Sequence, residues 1–401
     1  MSYSFFCPCP RGLEAALAEE LGEIALQSAS LKVHNQVPGG VHCSGTRADA
    51  YRINLHSRIA SRVLLRIAQA AYANENDIYD LALAQPWEDW FGVNHTIRVD
   101  LTAIKSPLKS LEFATLKIKD AVCDRFRERF SARPSVNTKM PDMRVAGFLD
   151  ARNFTLYLDT SGEALFKRGW RTETGDAPLR ENLAAGLLRV SGWKPGMVLF
   201  DPMCGSGTIL AEAAQMAAGI PPGARRAFAF EKFHGFDAAE WRAIKGNIKP
   251  NPIPVAPMIF GSDISGDMIV MSRNNLKNAG IPFDVPLKQI EAQAIKPPTD
   301  VPGIILTNPP YGERIGVRGD STIQTDEMAQ AFFSAFGTTL KQRFAGWTVF
   351  LFSADLGVPK LLRLKESRKT PFFNGALECR LFRFDMVAGS NRPGGAKPKP
   401  A

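Results

Sequence analysis

From residue 171 to residue 385 short apolar runs alternate with helical stretches. The runs are Met197–Phe200, Met258–Gly261, Gly303–Thr307 and Thr348–Ser353. A strand that is apolar on successive residues is buried on both faces. Strands of that kind, separated by helices, build a parallel sheet in a doubly wound α/β layer. Residues 171–385 are therefore predicted to form one α/β domain, with ligands bound at the carboxyl ends of its strands.

The rest of the chain has a different rhythm. Residues 1–60 read as a small α+β unit: a strand over Tyr3–Cys7, a helix over Leu13–Leu21, then a turn at Gly39 and Gly40 into Val41–Cys43. Residues 61–165 read as a second α+β region, whose clearest element is a helix over Leu111–Phe130 with Ile118, Val122, Phe126 and Phe130 on one stripe. Lys117, Lys119, Arg125, Arg127 and Arg129 project from its other faces, and ten basic residues stand against five acidic ones between Lys105 and Arg144. Such a surface is either a solvated helix face or a phosphate-contacting one. Residues 386–401, rich in Gly, Pro and Lys, read as a flexible basic tail.

The formal net charge of +9 points mildly toward a polyanionic partner. No run approaches the ~20 apolar residues of a membrane-spanning helix. The N-terminus lacks the basic and apolar regions of a signal peptide, so a cytoplasmic protein without membrane attachment is expected. The six cysteines form no CxxC pair and no zinc spacing, so no metal is expected; the Cys7–Cys9 CxC pair leaves a minor metal or redox reading open.

The first chemical signal is Val198–Thr208, reading VLFDPMCGSGT. A strand runs into Asp201 and Pro202, then a tight turn through Cys204, Gly205, Ser206 and Gly207, then a helix from about Thr208. No Gly-Lys-Ser/Thr follows, so the turn is not a P-loop. Asp201 disfavours a phosphate and suits a cationic ligand with an amino acid moiety, as S-adenosylmethionine has. About sixty residues on, Met258–Asp263 is a second strand ending in an acid. Asp263 there accepts ribose hydroxyls, caps the following helix, or does both. Glu291, after a strand-like Val285–Ile290, is a candidate for the adenine side.

The second signal is Ile304–Gly312, reading IILTNPPYG. A conjugated amine or amide nitrogen is a poor nucleophile because its lone pair is delocalised. The Asn308 side-chain carbonyl and the Pro309 backbone carbonyl can accept both of its N–H bonds and aim its lone pair at a methyl group. Pro309 and Pro310 stiffen the loop, and Tyr311 offers a face for a planar base.

DPMCGSGT together with Thr307–Arg314 (TNPPYGER) resembles the THUMP-containing class I methyltransferases. The nearest resemblance is to the bacterial 23S ribosomal RNA guanine-N2 methyltransferases, a group also known as N6-adenine-specific DNA methylases. Arg11–Glu14, Leu116–Ala121, Leu158–Gly162, Lys167–Arg171, Pro178–Ala185 and Phe350–Ala354 carry the likeness along nearly the whole chain. The resemblance implies a ferredoxin-like unit at 1–60, completed by about 155–170. It implies a THUMP RNA-binding domain at 61–165 and a Rossmann-like methyltransferase domain at 171–385. The donor would be S-adenosylmethionine and the acceptor a guanine of large-subunit ribosomal RNA or an assembly intermediate. Carried over by position, Asp201, Gly205, Gly207 and Thr208 fall on the donor turn, Asp263 on the ribose acid, Glu291 on the adenine side and Asn308–Tyr311 on the catalytic loop. Glu181 and Asn182 precede the first strand and would pack by the donor's amino acid end.

Some relatives carry a second methyltransferase domain, and the length of this chain leads to the expectation of one modification only. Residues 220–257 read as either a surface insertion or an RNA-facing lid around Arg225, Arg226, Phe233 and His234. The alternatives to guanine methylation are an N6-adenine methyltransferase on DNA or RNA, a protein glutamine methyltransferase, and a non-catalytic RNA-binding assembly factor.

Overall fold

The computed structural model describes residues 1–171, 179–252, 258–310 and 322–387. Two compact units emerge. One comprises Met1–Arg171, Arg180–Gly186 and Gly219–Asn251; the other comprises Thr172–Leu179, Leu187–Ala218 and Pro252–Ala401. The predicted tail lies outside the described residues from 388 on.

The first unit opens with β1 (Tyr3–Pro8), α1 (Glu14–Ala25), β2 (Lys32–Val37), β3 (Gly40–Gly45), α2 (Arg47–His56) and β4 (Leu64–Ala71). In β1, Phe5 and Cys7 are buried and their neighbours half-buried, the two-residue period of a sheet covered on one face. Leu17, Leu21 and Ile24 of α1 are buried as well. The four strands take the order β2-β3-β1-β4, a ferredoxin-like βαββαβ arrangement. It closes with β4, which ends at Ala71.

The sheet continues through the second α+β set: α3 (Glu75–Leu83), β5 (Thr96–Ala103), α4 (Leu111–Phe130), β6 (Ser135–Val136), β7 (Met143–Leu149) and β8 (Asn153–Asp159). β8 pairs antiparallel with β4, giving an eight-stranded sheet in the order β2-β3-β1-β4-β8-β7-β5-β6. Helix α4 starts where the Ser110 hydroxyl accepts the Phe113 N–H and stops at Ser131 in the left-handed region (φ +52°). Ile118, Val122 and Phe126 are buried as the stripe predicts. Phe130 is not: it is 54% exposed, in the last turn, with only Phe126 as its ring neighbour among the described residues.

Residues 219–251 belong to this unit and are not a lid. Phe230 stacks on Tyr51 at 4.3 Å and meets Trp241 edge-on at 5.2 Å. Arg226 turns inward and donates to the carbonyls of Glu163, Ala164 and Lys167, and burial lowers its pKa to about 10. Phe233 is buried; His234 is exposed but bound through its amide to the Trp90 carbonyl at 2.8 Å. Arg225 is exposed. Buried aromatic surface holds the segment down, so it packs as core. Residues 253–257 of the predicted insertion lie outside the described residues.

After α5 (Glu181–Val190) come β9 (Leu199–Asp201), α6 (Thr208–Ala218), α7 (Ala238–Gly246), β10 (Ile259–Asp263), α8 (Gly266–Asn278), β11 (Leu287–Gln289) and β12 (Ile304–Thr307). The remaining elements are α9 (Thr322–Arg343), β13 (Thr348–Ser353), α10 (Val358–Leu362), β14 (Arg368–Asn374) and β15 (Leu377–Asp385). The sheet of the second unit has the order β11-β10-β9-β12-β13-β15-β14. Its first five strands are parallel, but β15 runs antiparallel to both β13 and β14, so the sheet is mixed rather than wholly parallel. Phe333, Phe336 and Leu340 of α9 pack with Val349, Leu351, Phe382 and Phe384 in its core. The winding reverses between β9 and β12, which marks the carboxyl ends of β9, β10 and β12 as the place for a ligand.

One contact sets how closely α9 and α10 pack. A Cβ on Gly337 would stand 2.1 Å from the Leu362 carbonyl oxygen, which is backbone and has no rotamer to yield. Gly337→Ala is expected to lower unfolding free energy by about 1–3 kcal/mol. Gly246→Ala, where a Cβ meets nothing within 4 Å, should stay within about 1 kcal/mol of wild type. Denaturant midpoints compare the two; equal values would mean α9 and α10 do not pack this closely.

Candidate active site

β9 ends at Asp201, and the turn to α6 depends on two glycines. Gly205 has φ +52° and Gly207 φ +79°, values that other residues adopt at a cost. At Gly205 a Cβ would meet open space, so only its left-handed backbone favours glycine there. At Gly207 a Cβ would also stand 2.9 Å from Ser272 Oγ on α8.

The turn is tied to the next strand. The Gly205 N–H donates to Asp263 Oδ2 at 2.9 Å, and the Cys204 N–H donates to the Ser262 carbonyl at 2.9 Å. The other carboxylate oxygen of Asp263 accepts the Ser265 N–H. Asp263 is therefore not the cap of α8. Ser265 takes that place, its hydroxyl accepting the Met268 N–H.

These elements enclose a cavity of about 550 Å³. Asp201, Pro202, Cys204, Gly205, Ser206, Thr208, Asp263, Glu291, Asn308 and Pro310 all line it, so three strand ends and the segment after β11 converge on one space. Gly207 and Pro309 are not among its lining residues, and Tyr311 lies outside the described residues. Met203, Ile264, Met268 and Phe332 line it too and were not foreseen. Ile264, 65% exposed directly after an acid at a strand end, carried a readable signal. Phe332 did not, because only the packing of α9 brings it there.

Two further assignments change. Glu181 and Asn182 belong to the first unit and do not line the cavity. Glu181 pairs with Arg171 at 2.9 Å, and the Asn182 amide donates to Ser61 Oγ and the Ile59 carbonyl. Both are buried by these local contacts. On α4, Arg125 makes a two-pronged pair with Glu88 at 2.5 and 3.1 Å, and its guanidinium holds the Glu88 carboxyl below its usual range. Lys119 pairs with Asp120, Arg127 with Asp124, Arg129 approaches Glu88 at 3.6 Å, and Lys117 lies over the Tyr79 and Phe113 rings. Arg125 is thus a structural pair, while the Arg127 and Arg129 side chains stay more than half exposed.

Two polar groups in the cavity are held in costly states. Asn308 Oδ1 is buried and has no hydrogen-bond partner among the described residues. A buried acceptor without a donor carries a desolvation cost of about 1–3 kcal/mol until one arrives. Asp201 is 2% exposed. Burial pushes its carboxyl up to about 7, helped by the nearby Asp263 charge, and the Met203 N–H only partly offsets this. Among the described residues, no group of three or more His, Cys, Asp or Glu side chains is placed to hold a metal ion, and no helix is long and apolar enough to cross a membrane.

Comparison with known proteins follows the same division. Residues 168–383 match the RMKL-like methyltransferase domain family, which is more than half of the chain. The chain belongs to that family. Residues 72–159 match the THUMP domain and residues 4–64 the ferredoxin-like domain of RlmL. A relative from Psychromonas ingrahamii, named ribosomal RNA large subunit methyltransferase K/L, is 38% identical over 386 residues, 94% of this chain and 49% of its own. A relative of the same name from Aeromonas hydrophila is 35% identical, covering 96% of this chain and 55% of its own. The chain thus spans about half the length of these relatives. Among solved structures, a possible methylase from Clostridium difficile 630 superposes with a TM-score of 0.85 at 26% identity, over 98% of this chain and 100% of that one. SMU.472, solved in complex with SAH, superposes with a TM-score of 0.81 at 26% identity, over 97% and 99%.

S-adenosylmethionine is the cofactor expected of this family, and the cavity suits it. A glycine turn open at Gly205 admits close approach, Asp201 answers an ammonium group, and Asp263 stands at the next strand end with its carboxylate already oriented. The Asp201 pKa gives a test with a defined sign. The unfolded chain ionises this carboxyl near 3.8 and the folded chain near 7, so ligand-free stability should fall as pH rises from about 4 to about 7. A cationic ligand favours the ionised form. Donor affinity should therefore rise with pH below about 7, by up to about tenfold per unit, and level off above it. Calorimetric titration between pH 5.5 and 7.5 reads this slope, and Asp201→Asn should flatten it. A wild-type affinity independent of pH would contradict the assignment.

Proposed function

We propose that this chain is an S-adenosylmethionine-dependent RNA methyltransferase acting on the exocyclic N2 amine of a guanine in 23S ribosomal RNA. The observation that carries the reading is the buried, unpartnered Asn308 Oδ1 on the wall of the cavity that the glycine turn and Asp263 also line. An acceptor held open there is suited to an N–H donor on an incoming base. The names of the relatives support ribosomal RNA of the large subunit as the carrier of that base, and the resemblance to guanine-N2 enzymes supports N2 as the acceptor atom.

When bound, the donor supplies an electrophilic methyl group on a sulfonium centre. The chain's part is to shape the nucleophile. Asn308 Oδ1 and the Pro309 carbonyl accept the two N–H bonds of the amine, which draws its nitrogen out of conjugation and turns its lone pair into the cavity. Neither acceptor is basic enough to keep the proton that the nitrogen sheds, so the proton passes to water. Tyr311 is proposed as the stacking face for the extruded base, and Pro310 holds the loop stiff. No residue here needs to act as a covalent nucleophile. Burial raises the Cys204 thiol well above its usual pKa, which leaves it inert as a thiolate.

The THUMP region is proposed to bring the RNA to this site, with the exposed ends of Arg127 and Arg129 among its phosphate contacts and Lys117 and Lys119 beside them. Arg125 is left out of that set because Glu88 already neutralises it.

Asn308→Ala tests the central role. Methyl transfer to 23S ribosomal RNA lacking the modification should fall on the order of 10²–10³-fold, while the dissociation constant of the donor changes by less than about threefold. Near-wild-type transfer by the variant would remove Asn308 from the mechanism.

A further inference from the structure

Two side chains that touch nothing in the cavity hold the shape of its floor. Ser272 and Asn275 lie three residues apart on one face of α8, and both are fully buried. The Ser272 hydroxyl donates to the Gly205 carbonyl at 2.6 Å, and the Asn275 Nδ2 donates to the Ser206 carbonyl at 2.9 Å. Successive carbonyls of the turn are thus anchored on a helix that follows the neighbouring strand. Neither residue lines the cavity.

Covalent geometry gives the anchoring a direction. A trans peptide sends its N–H opposite to its C=O. With the Gly205 carbonyl drawn onto α8, the N–H of Ser206 in the same peptide is turned the other way, and Ser206 is a cavity-lining residue. On the other side of Gly205, its own N–H is held by Asp263. Each peptide of the turn is fixed by a group from β10 or α8, and α8 approaches closely enough that only glycine fits at 207. The end of α8 is tied back in turn, since the Gln215 amide on α6 donates to the Ala279 carbonyl at 3.1 Å.

Asn275 shows that the arrangement is not built for stability alone. Its Oδ1 is buried without a partner among the described residues. That leaves a standing desolvation penalty in the ligand-free chain. We propose that Ser272 and Asn275 are positioning residues for the methyl donor: they clamp the Gly205 and Ser206 carbonyls onto α8, so that the turn meets the donor already shaped. The inference rests on the reading of this turn as the donor site.

The test compares donor affinity with intrinsic stability in the full chain. Asn275→Leu and Ser272→Ala are measured for S-adenosylhomocysteine binding by calorimetry and for melting temperature without ligand, with Asn274→Ala on the exposed side of α8 as control. Each clamp variant is expected to bind at least tenfold more weakly. Asn275→Leu should lose more affinity than any change in its melting temperature accounts for, and the control should change neither. A merely structural role predicts the reverse: lower melting temperatures with affinity within twofold of wild type, and that result would overturn the proposal. Failure of the wild-type chain to bind S-adenosylhomocysteine would overturn the donor reading itself, a separate outcome visible before any variant is made.

Discussion

The Gly205 amide donating to the Asp263 carboxylate joins two consecutive strand ends into one surface. Everything proposed for the site depends on that bond. It sets Asp263 at the rim of the cavity and fixes one side of a turn whose glycines have no intrinsic preference for their observed conformation. A glycine turn left to itself has the largest conformational entropy to lose on binding a ligand. Here the fold has already removed that freedom through groups from the adjacent strand and helix, the preorganisation that makes binding and catalysis efficient.

The cavity concentrates unfavourable states on the residues proposed to act. Asp201 is buried beside a second acid, and Asn308 Oδ1 is buried without a donor. Both conditions cost stability in the ligand-free chain. The large apolar core behind the sheet, with Phe333, Phe336 and Phe344 fully buried, offsets them. Each condition also has a matching remedy in the proposed ligands: a cation for the carboxyl and an amine for the amide oxygen.

What could be read from sequence followed from local rules. Asp201, Asp263 and Asn308 were legible because each ends an apolar run at a sheet's carboxyl edge, where backbone periodicity places the side chain. The extent of α4 was legible from its apolar stripe. What escaped was set by partners distant in the chain. Arg125 looked like a free cation because Glu88, its partner, is thirty-seven positions away. Glu181 and Asn182 looked like donor contacts because they precede β9, yet buried neighbours from residues 59–61 and Arg171 claim their side chains. The β14–β15 hairpin escaped because its apolar residues follow a two-residue period only in part. In β15, Leu381 and Phe382 are both buried, so the antiparallel edge resembles a buried parallel strand. Residues 220–257 fit a lid or an insertion equally well by sequence, and the stack of Phe230 on Tyr51 packs the described part through residue 251 as core.

The measurement that bears most directly on the account is nucleoside analysis after methyl transfer. The chain is incubated with labelled S-adenosylmethionine and 23S ribosomal RNA lacking the modification, with duplex DNA and a protein amide substrate in parallel, and the products are digested. The account predicts label in N2-methylguanosine from the RNA and none in the other two acceptors. Label recovered as N6-methyladenosine, or in DNA or protein, would contradict it.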